Sequence, residues 1–154
     1  MKRREFLTTT LFGAIAISSN LHFRDKLKTI PVNDSFFDGR KDTVLTWLGM
    51  AGALINCHGT IIFVDPLISY GADEKTCETG DRLLVPLPVT ADMVPRADVI
   101  CYTHADGDHF AEKTVRILNS RLSPVFICPG PVYEKLRRLN IPADRLIKIK
   151  DFSK

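Results

Sequence analysis

Three short apolar runs, separated by turn signals, occupy the first part of the folded region. The runs cover residues 44–48, 53–56 and 60–64. They end at Gly49, at His58-Gly59 and at Asp65-Pro66. Short β-branched runs bounded by glycine or proline are typical of β-strands, and the close spacing leaves room only for tight turns. The pattern predicts an antiparallel meander of three strands.

Apolar and amphipathic segments alternate in the second part of the chain. They are the strands 98–102, 125–128 and 146–149 and the helices 111–121 and 132–139. The first helix has Val115, Ile117 and Leu118 on its inner side, and the second begins at Pro131, a favoured first-turn residue. Strands that alternate with helices require crossover connections, which predicts parallel strands with helices over both sheet faces. Joined to the meander, they predict an α/β domain with a mixed sheet.

The distribution of charge and the spacing of the cysteines exclude several classes of function. Of the net charge of +3, residues 1–28 hold six basic and two acidic residues, whereas the remaining chain holds 15 basic and 16 acidic residues. The body has no excess positive charge, so a nucleic-acid partner is not expected, because phosphate contacts need a basic face. None of the four cysteines forms a Cys-x-x-Cys pair. This excludes a zinc ribbon and a thioredoxin-type motif, and it leaves open whether two cysteines pair.

The N-terminus has the order of an export signal. A basic start is followed by an apolar stretch at residues 11–17 and then by polar residues. This order is typical of segments that direct a protein out of the cytoplasm. Arg3-Arg4-x-Phe6-Leu7 resembles a twin-arginine signal, which moves folded proteins. An ordinary amphipathic helix is the alternative interpretation.

The chain therefore divides into three predicted parts. They are a twin-arginine-like export signal over residues 1–20, a linker over residues 21–42 and a domain over residues 43–154. We expect an exported protein, periplasmic or otherwise extracytoplasmic, that contacts a membrane only through its signal. The small residues at 14–16 match a cleavage site weakly, so a signal that stays as an anchor is an alternative.

The segment with the most chemistry is residues 103–110, Thr-His-Ala-Asp-Gly-Asp-His-Phe. It lies between a predicted strand and a predicted helix, and ligands of open α/β sheets bind at the carboxyl ends of strands. Four potential metal ligands fall within six residues, namely His104, Asp106, Asp108 and His109. Imidazole and carboxylate are expected for Zn²⁺, Mn²⁺ or Fe²⁺, and a divalent cation resolves the repulsion between the carboxylates. The segment predicts metal-assisted hydrolysis, in which Asp108 accepts the proton of an activated water.

The sequence also allows a structural interpretation of this acidic loop. Asp106 or Asp108 can cap the following helix by accepting hydrogen bonds from its free N–H groups. A calcium EF-hand loop is excluded, because Ile117 occupies the position that the bidentate glutamate ligand would take. A nucleotide-binding α/β domain is disfavoured because the chain has no glycine-rich phosphate loop.

Residues 104–109, His-Ala-Asp-Gly-Asp-His, resemble the H-x-[HDE]-x-D-H signature of the metallo-β-lactamase superfamily. The segments WLGMAG at 47–52 and IFVDP at 62–66 resemble the branch that contains ascorbate-6-phosphate lactonase. The resemblance covers residues 43 to about 150. It implies the N-terminal half of an αββα sandwich, an α/β fold with an antiparallel meander followed by strand-helix-strand-helix-strand.

The resemblance also implies a role for each candidate residue. His104 and Asp106 would bind a first metal ion, and Asp108 and His109 a second. Asp65 would support these ligands from the end of the third strand, although a strand-ending turn residue is an equal alternative for it. The family commonly has histidine where Asp106 stands, so metal identity and number stay open, with zinc first and manganese or iron as alternatives.

In that fold the remaining ligands lie in the second half, and no histidine follows His109. We expect a truncated half, weakly active or inactive alone, with one apolar sheet face open to a missing C-terminal half or a second copy. The predicted function is a metal-dependent hydrolase that cleaves an ester, lactone or phosphoester-type bond of a small-molecule substrate on one or two divalent metals. The alternative is a non-catalytic metal-binding or interaction module with a degenerate hydrolase site.

Overall fold

The computed structural model describes residues 29–149. The predicted export signal lies outside the described residues, and so do the last five residues of the predicted domain. Within residues 29–149 the fold is a mixed sheet of six strands in chain order. The strands are β1 (Thr43–Gly49), β2 (Gly52–Cys57), β3 (Thr60–Val64), β4 (Val99–Cys101), β5 (Val125–Cys128) and β6 (Leu146–Lys148). The α-helices are α1 (Glu112–Arg121) and α2 (Gly130–Arg138), and short 3-10 helices cover Asp34–Phe37 and Ala143–Arg145.

The strand directions follow the two patterns in the sequence. β1, β2 and β3 pair antiparallel, and β3 through β6 pair parallel. The β2–β3 turn has positive φ angles at His58 (52°) and Gly59 (90°), which a two-residue hairpin turn requires. The α/β class and the order of its elements, predicted from periodicity and from the family resemblance, are therefore confirmed.

Both helices pack on one face of the sheet. The apolar core there joins the sheet to α1 through Val115 and Leu118 and to α2 through Val132 and Leu136, all fully buried. Ile117, predicted on the inner side of α1, is only partly buried and packs at the margin of the core. The prediction that helices cover both sheet faces is wrong for the described residues, because α1 and α2 lie on the same side.

The opposite face of the sheet is apolar and partly open. One row of cross-strand partners runs Leu45, Ile55, Ile62, Val99 and Val125. At the two ends of the sheet the side chains are most exposed, with Trp47 at 61% and Ile147 at 51%. This open apolar face is what the family resemblance implies for a single αβ half.

Residues 29–42 belong to the domain, so the prediction of a linker is wrong for this stretch. Phe36 and Phe37 are buried in the core, with ring centroids 5.7 Å apart in an edge-on arrangement. The backbone N–H of Val32 donates to the carbonyl of Pro88 at 2.8 Å. An aromatic pair buried against the sheet, with backbone hydrogen bonds to a distant loop, is domain structure and not a linker.

Two further observations bear on the sequence predictions. The four cysteines, all among the described residues, are free thiols, so the question of a disulfide is answered in favour of none. Among residues 29–149, no helix has the length and apolar character that crossing a membrane requires.

Candidate functional site

The candidate site lies at the carboxyl edge of two adjacent parallel strands. Asp65 directly follows β3, and the loop of residues 103–109 follows β4. The backbone N–H of Asp65 donates to the carbonyl of Cys101 at 2.9 Å, which continues the ladder by one residue. The topology therefore brings together two segments that are 38 residues apart, as the hydrogen bond from the Thr103 N–H to Asp65 shows.

Asp65 is a buried carboxylate in a strained backbone conformation. Its exposure is 2%, and its φ of 42° lies in the left-handed region that few residues other than glycine adopt. Its Oδ1 accepts the Thr103 N–H at 2.8 Å, and its Oδ2 accepts the Thr103 hydroxyl at 2.5 Å. Such strain clusters at functional sites, and the geometry favours the supporting role for Asp65 over that of an ordinary turn residue.

Asp65 also holds His109. The His109 Nδ1 lies 2.9 Å from Asp65 Oδ2, so the ring donates Nδ1–H to the carboxylate. This hydrogen bond raises the pKa of His109, with partial burial acting against it and the charges of Asp65, Asp108 and Asp106 adding to it. In the neutral ring this contact leaves the Nε2 lone pair free, which is the arrangement of a metal-binding histidine backed by a carboxylate.

The free nitrogen of His109 lies beside a second potential ligand. Its Nε2 is 3.6 Å from Asp108 Oδ2. Two ligands of one tetrahedral zinc, each about 2.1 Å from the ion, lie roughly 3.4 Å apart. The separation in this structure therefore fits a shared divalent ion, and the second-metal pair that the family resemblance implies, His109 with Asp108, stays a prediction.

His104 and Asp106 are placed less closely. The His104 ring centroid is 4.9 Å from that of His109, and the side chain is exposed. The backbone carbonyl of Asp106 accepts the N–H groups of His109 at 3.0 Å and Phe110 at 2.7 Å, which closes the turn. Within residues 29–149, no group of three His, Cys, Asp or Glu side chains converges to hold a metal ion. The donor set present fits part of a metal site, two ligands with their supporting carboxylate.

Neither loop aspartate caps the following helix. The N-terminus of α1 has no capping side chain from its own N-cap residue, Ala111. Glu78 instead accepts the N–H groups of Lys113 at 2.7 Å and Thr114 at 2.9 Å. The capping interpretation of Asp106 and Asp108 is therefore wrong, and their carboxylates stay available for other roles.

Three residues near the site were missed in the sequence. Thr103 ties the loop to Asp65, Glu78 ties the long connection before β4 to α1, and Lys135 from α2 donates to the carbonyl of Ala105. The Lys135 ammonium also lies 4.9 Å from the centre of the Phe110 ring. Only Thr103 carried a local signal, because it directly precedes the motif; the contacts of Glu78 and Lys135 depend on packing between distant segments.

Comparisons with known proteins add a relative and two similar structures. No known protein-family model matches the chain. Over 84 residues the chain is 30% identical to an N-acyl-phosphatidylethanolamine-hydrolyzing phospholipase D, mitochondrial, of Saccharomyces cerevisiae, which covers 54% of this chain and 18% of that protein.

The structural similarity covers more of the chain. Its backbone is similar to CmlA, a diiron β-hydroxylase from Streptomyces venezuelae, with a TM-score of 0.52, 24% identity, and coverage of 74% of this chain and 22% of that chain. A mutant of the same β-hydroxylase gives a TM-score of 0.51 at 24% identity, with 75% of this chain and 22% of that chain covered. This chain thus spans about a fifth of the length of these proteins. The structural similarity shows the fold that the motifs indicated: residues 29–149 have the fold of one αβ half of a metallo-β-lactamase sandwich.

Proposed function

We propose that this chain carries half of the active site of a metal-dependent hydrolase. The reaction is the cleavage of an ester, lactone or phosphoester-type bond by water activated on one or two divalent metals. The single observation that carries the proposal is the buried Asp65 carboxylate, which holds His109 through Nδ1 at 2.9 Å and so presents Nε2 beside Asp108. A carboxylate that supports a histidine from behind is a recurring feature of metal sites.

Each candidate residue would have its own role in metal binding or proton transfer. His109 and Asp108 would hold one ion, and His104 with Asp106 would contribute to the other. Bound there, a divalent metal lowers the pKa of a bound water to about 7 and polarises the scissile bond. Asp108, an exposed carboxylate next to Nε2 of His109, would accept the proton of the attacking water. Zinc is the first candidate, and manganese and iron are alternatives because the set combines imidazole with carboxylate.

The proposed substrate class rests on the name of the yeast relative. The yeast relative is named as a phospholipase D that hydrolyses N-acyl-phosphatidylethanolamine, a phosphodiester, and its 30% identity extends over 84 residues. Among the three bond types, this name favours a phosphodiester of a small molecule for the present chain. Export to an extracytoplasmic compartment, with a C-terminal half or a second copy as partner, stays part of the proposal from the sequence.

A second candidate function is a metal-binding or interaction module without catalysis. The observation that favours it is that no three potential ligand side chains converge within residues 29–149. A catalytic zinc site uses three protein ligands and a water. If the missing ligands come from no other segment or partner, the His109–Asp108 pair binds metal weakly and hydrolysis does not follow.

The test is metal content measured by elemental analysis after the purified chain is equilibrated with Zn²⁺, Mn²⁺ or Fe²⁺ and desalted. We expect bound metal in the wild type and its loss in the His104→Ala/His109→Ala double variant. His58→Ala is the matched control, because His58 is an exposed histidine in the β2–β3 turn. Metal retained by the double variant, or absent from a folded wild type, would contradict the proposed site. Turnover of bis(p-nitrophenyl) phosphate by the metal-loaded wild type, lost in the double variant, supports the enzyme over the module.

A further inference from the structure

The hydroxyl of Thr103 lies between the buried carboxylate and both histidines of the candidate site. Its Oγ1 is 2.5 Å from Asp65 Oδ2, 3.1 Å from His109 Nδ1 and 3.3 Å from His104 Nδ1. Three polar atoms thus surround one oxygen, which has a single hydrogen to donate and two lone pairs to accept with. The directions of these hydrogen bonds determine which nitrogen of each imidazole carries the hydrogen.

The hydrogen of the Thr103 hydroxyl points to Asp65. A carboxylate oxygen only accepts hydrogen bonds, so the short contact with Oδ2 requires the hydroxyl as the donor. The backbone N–H of Thr103 donates to the other oxygen of Asp65 at 2.8 Å, which holds Thr103 against the carboxylate at two points. Because Asp65 is buried, it must find its donors within the protein. The lone pairs of the Thr103 hydroxyl therefore remain for the two imidazoles.

His109 is oriented by the carboxylate itself. Its Nδ1 lies 2.9 Å from Asp65 Oδ2, which is closer than the 3.1 Å to Thr103 Oγ1. A carboxylate also accepts an N–H more strongly than a hydroxyl does, because charge-assisted hydrogen bonds are about twice as strong as neutral ones. Without the Thr103 hydroxyl, His109 would therefore still donate Nδ1–H to Asp65.

His104, in contrast, depends on Thr103. Within residues 29–149, the ring of His104 has no hydrogen-bond partner other than the Thr103 hydroxyl. With a hydrogen on Nδ1, this contact is an N–H donating to Oγ1; without it, two lone pairs face each other at 3.3 Å. The contact therefore favours the tautomer of His104 that carries its hydrogen on Nδ1 and leaves the Nε2 lone pair free.

We propose that Thr103 is a positioning residue that sets the tautomer of His104. Asp65 takes the hydroxyl hydrogen of Thr103, and the hydroxyl oxygen in turn accepts Nδ1–H of His104. One buried carboxylate thus fixes both histidines, His109 directly and His104 through Thr103. Each ring then offers an unprotonated Nε2, as an imidazole ligand of a divalent ion requires. The step from tautomer to metal binding rests on the proposed function, whereas the tautomer itself does not.

The test is ¹⁵N NMR of the imidazole rings in the metal-free full chain at alkaline pH. In the wild type we expect the hydrogen on Nδ1 in both His104 and His109. Thr103→Val keeps the shape and the backbone N–H of this residue and removes the hydroxyl. In this variant we expect His104 to shift towards the form with hydrogen on Nε2, which an unconstrained histidine favours in water, while His109 keeps its hydrogen on Nδ1. General loosening of the loop would change both rings.

A competitive zinc titration measures the consequence for metal binding. Thr103→Val is expected to lower zinc affinity about tenfold, at the lower end of the effect of losing a contact that supports a ligand, because the His104 ring is exposed. Thr103→Ser keeps the hydroxyl and is expected to restore both the His104 tautomer and the affinity. The matched control is Thr60→Val, because Thr60 is an exposed threonine at the opposite end of β3 from Asp65.

Three results would overturn the role of Thr103. The first is a wild-type His104 with its hydrogen on Nε2, which is measured without any variant. The second is an unchanged His104 tautomer in a folded Thr103→Val variant, and the third is a change of both histidines together in that variant. The expected tautomers in a wild type that binds no zinc would contradict the proposed metal site and support the role of Thr103, so the two failures are distinguishable.

Discussion

Replacement of Asp65 by asparagine tests the supporting role of this carboxylate. Asparagine has the same shape and tolerates the positive φ of 42° at this position better than most residues. Its oxygen can still accept the Thr103 N–H, now at 2.8 Å. Its amide nitrogen, however, stands where Oδ2 accepts Nδ1–H of His109. Because an amide nitrogen only donates, His109 must turn to the tautomer that carries its hydrogen on Nε2.

Asp65→Asn is expected to lower metal affinity far more than it lowers the free energy of unfolding. With Nε2 protonated, His109 has no lone pair on the nitrogen that lies beside Asp108, and loss of such a supporting contact lowers metal affinity about 10- to 100-fold. The free energy of unfolding falls by only about 1 kcal/mol, since the amide retains part of the hydrogen bonding. Asp65→Ala removes all three accepted hydrogen bonds. We expect it to cost about 3 kcal/mol, because water reaches the exposed donor of Thr103 and replaces part of the loss.

The assays are urea unfolding without metal, a competitive zinc titration with a chromophoric chelator, and ¹⁵N NMR of the His109 ring to identify the tautomer. His58→Ala again serves as the control. A folded Asp65→Asn variant with wild-type zinc affinity, or one whose His109 still carries hydrogen on Nδ1, would refute the reasoning.

Two further predictions concern stability. Glu78→Gln is expected to lower the free energy of unfolding by about 1–2 kcal/mol, because Glu78 accepts the free N–H groups of Lys113 and Thr114 at the start of α1; urea unfolding measures it, and an equal loss in the exposed control Glu134→Gln would contradict it. Burial raises the pKa of the Cys128 thiol from 9.0 to about 11, so the folded state keeps a proton that the unfolded chain releases, and stability is expected to fall as the pH rises between these values. Urea unfolding at several pH values checks this, and an unchanged slope in Cys128→Ala would show that another group is responsible.

The predictions made from local patterns are confirmed for the strands, where burial determines which positions are hydrophobic and which are polar. The strands of the meander agree with the pattern to within one residue at each end, because β-branched runs that alternate between two sheet faces have few other solutions. The loop of residues 103–109 was also placed correctly after a parallel strand, since its position depends only on strand order. The linker prediction for residues 29–42 failed because Phe36 and Phe37 carry no periodic signal and are buried only by distant segments.

The sequence by itself determined the class of the fold, the order of its strands and helices, and the family signature at residues 104–109. These features depend on the spacing of hydrophobic, polar and turn-forming residues over short stretches of the chain, which the sequence gives directly. Only the tertiary structure decided that both helices cover one sheet face, that Glu78 rather than a loop aspartate caps α1, and that Asp65 holds His109 through Nδ1. The contacts of Glu78 and Asp65 join residues more than 30 positions apart, and the side of the sheet on which a helix packs depends on the path of the whole chain. Such features follow from packing geometry, which no local pattern of hydrophobic and polar residues encodes.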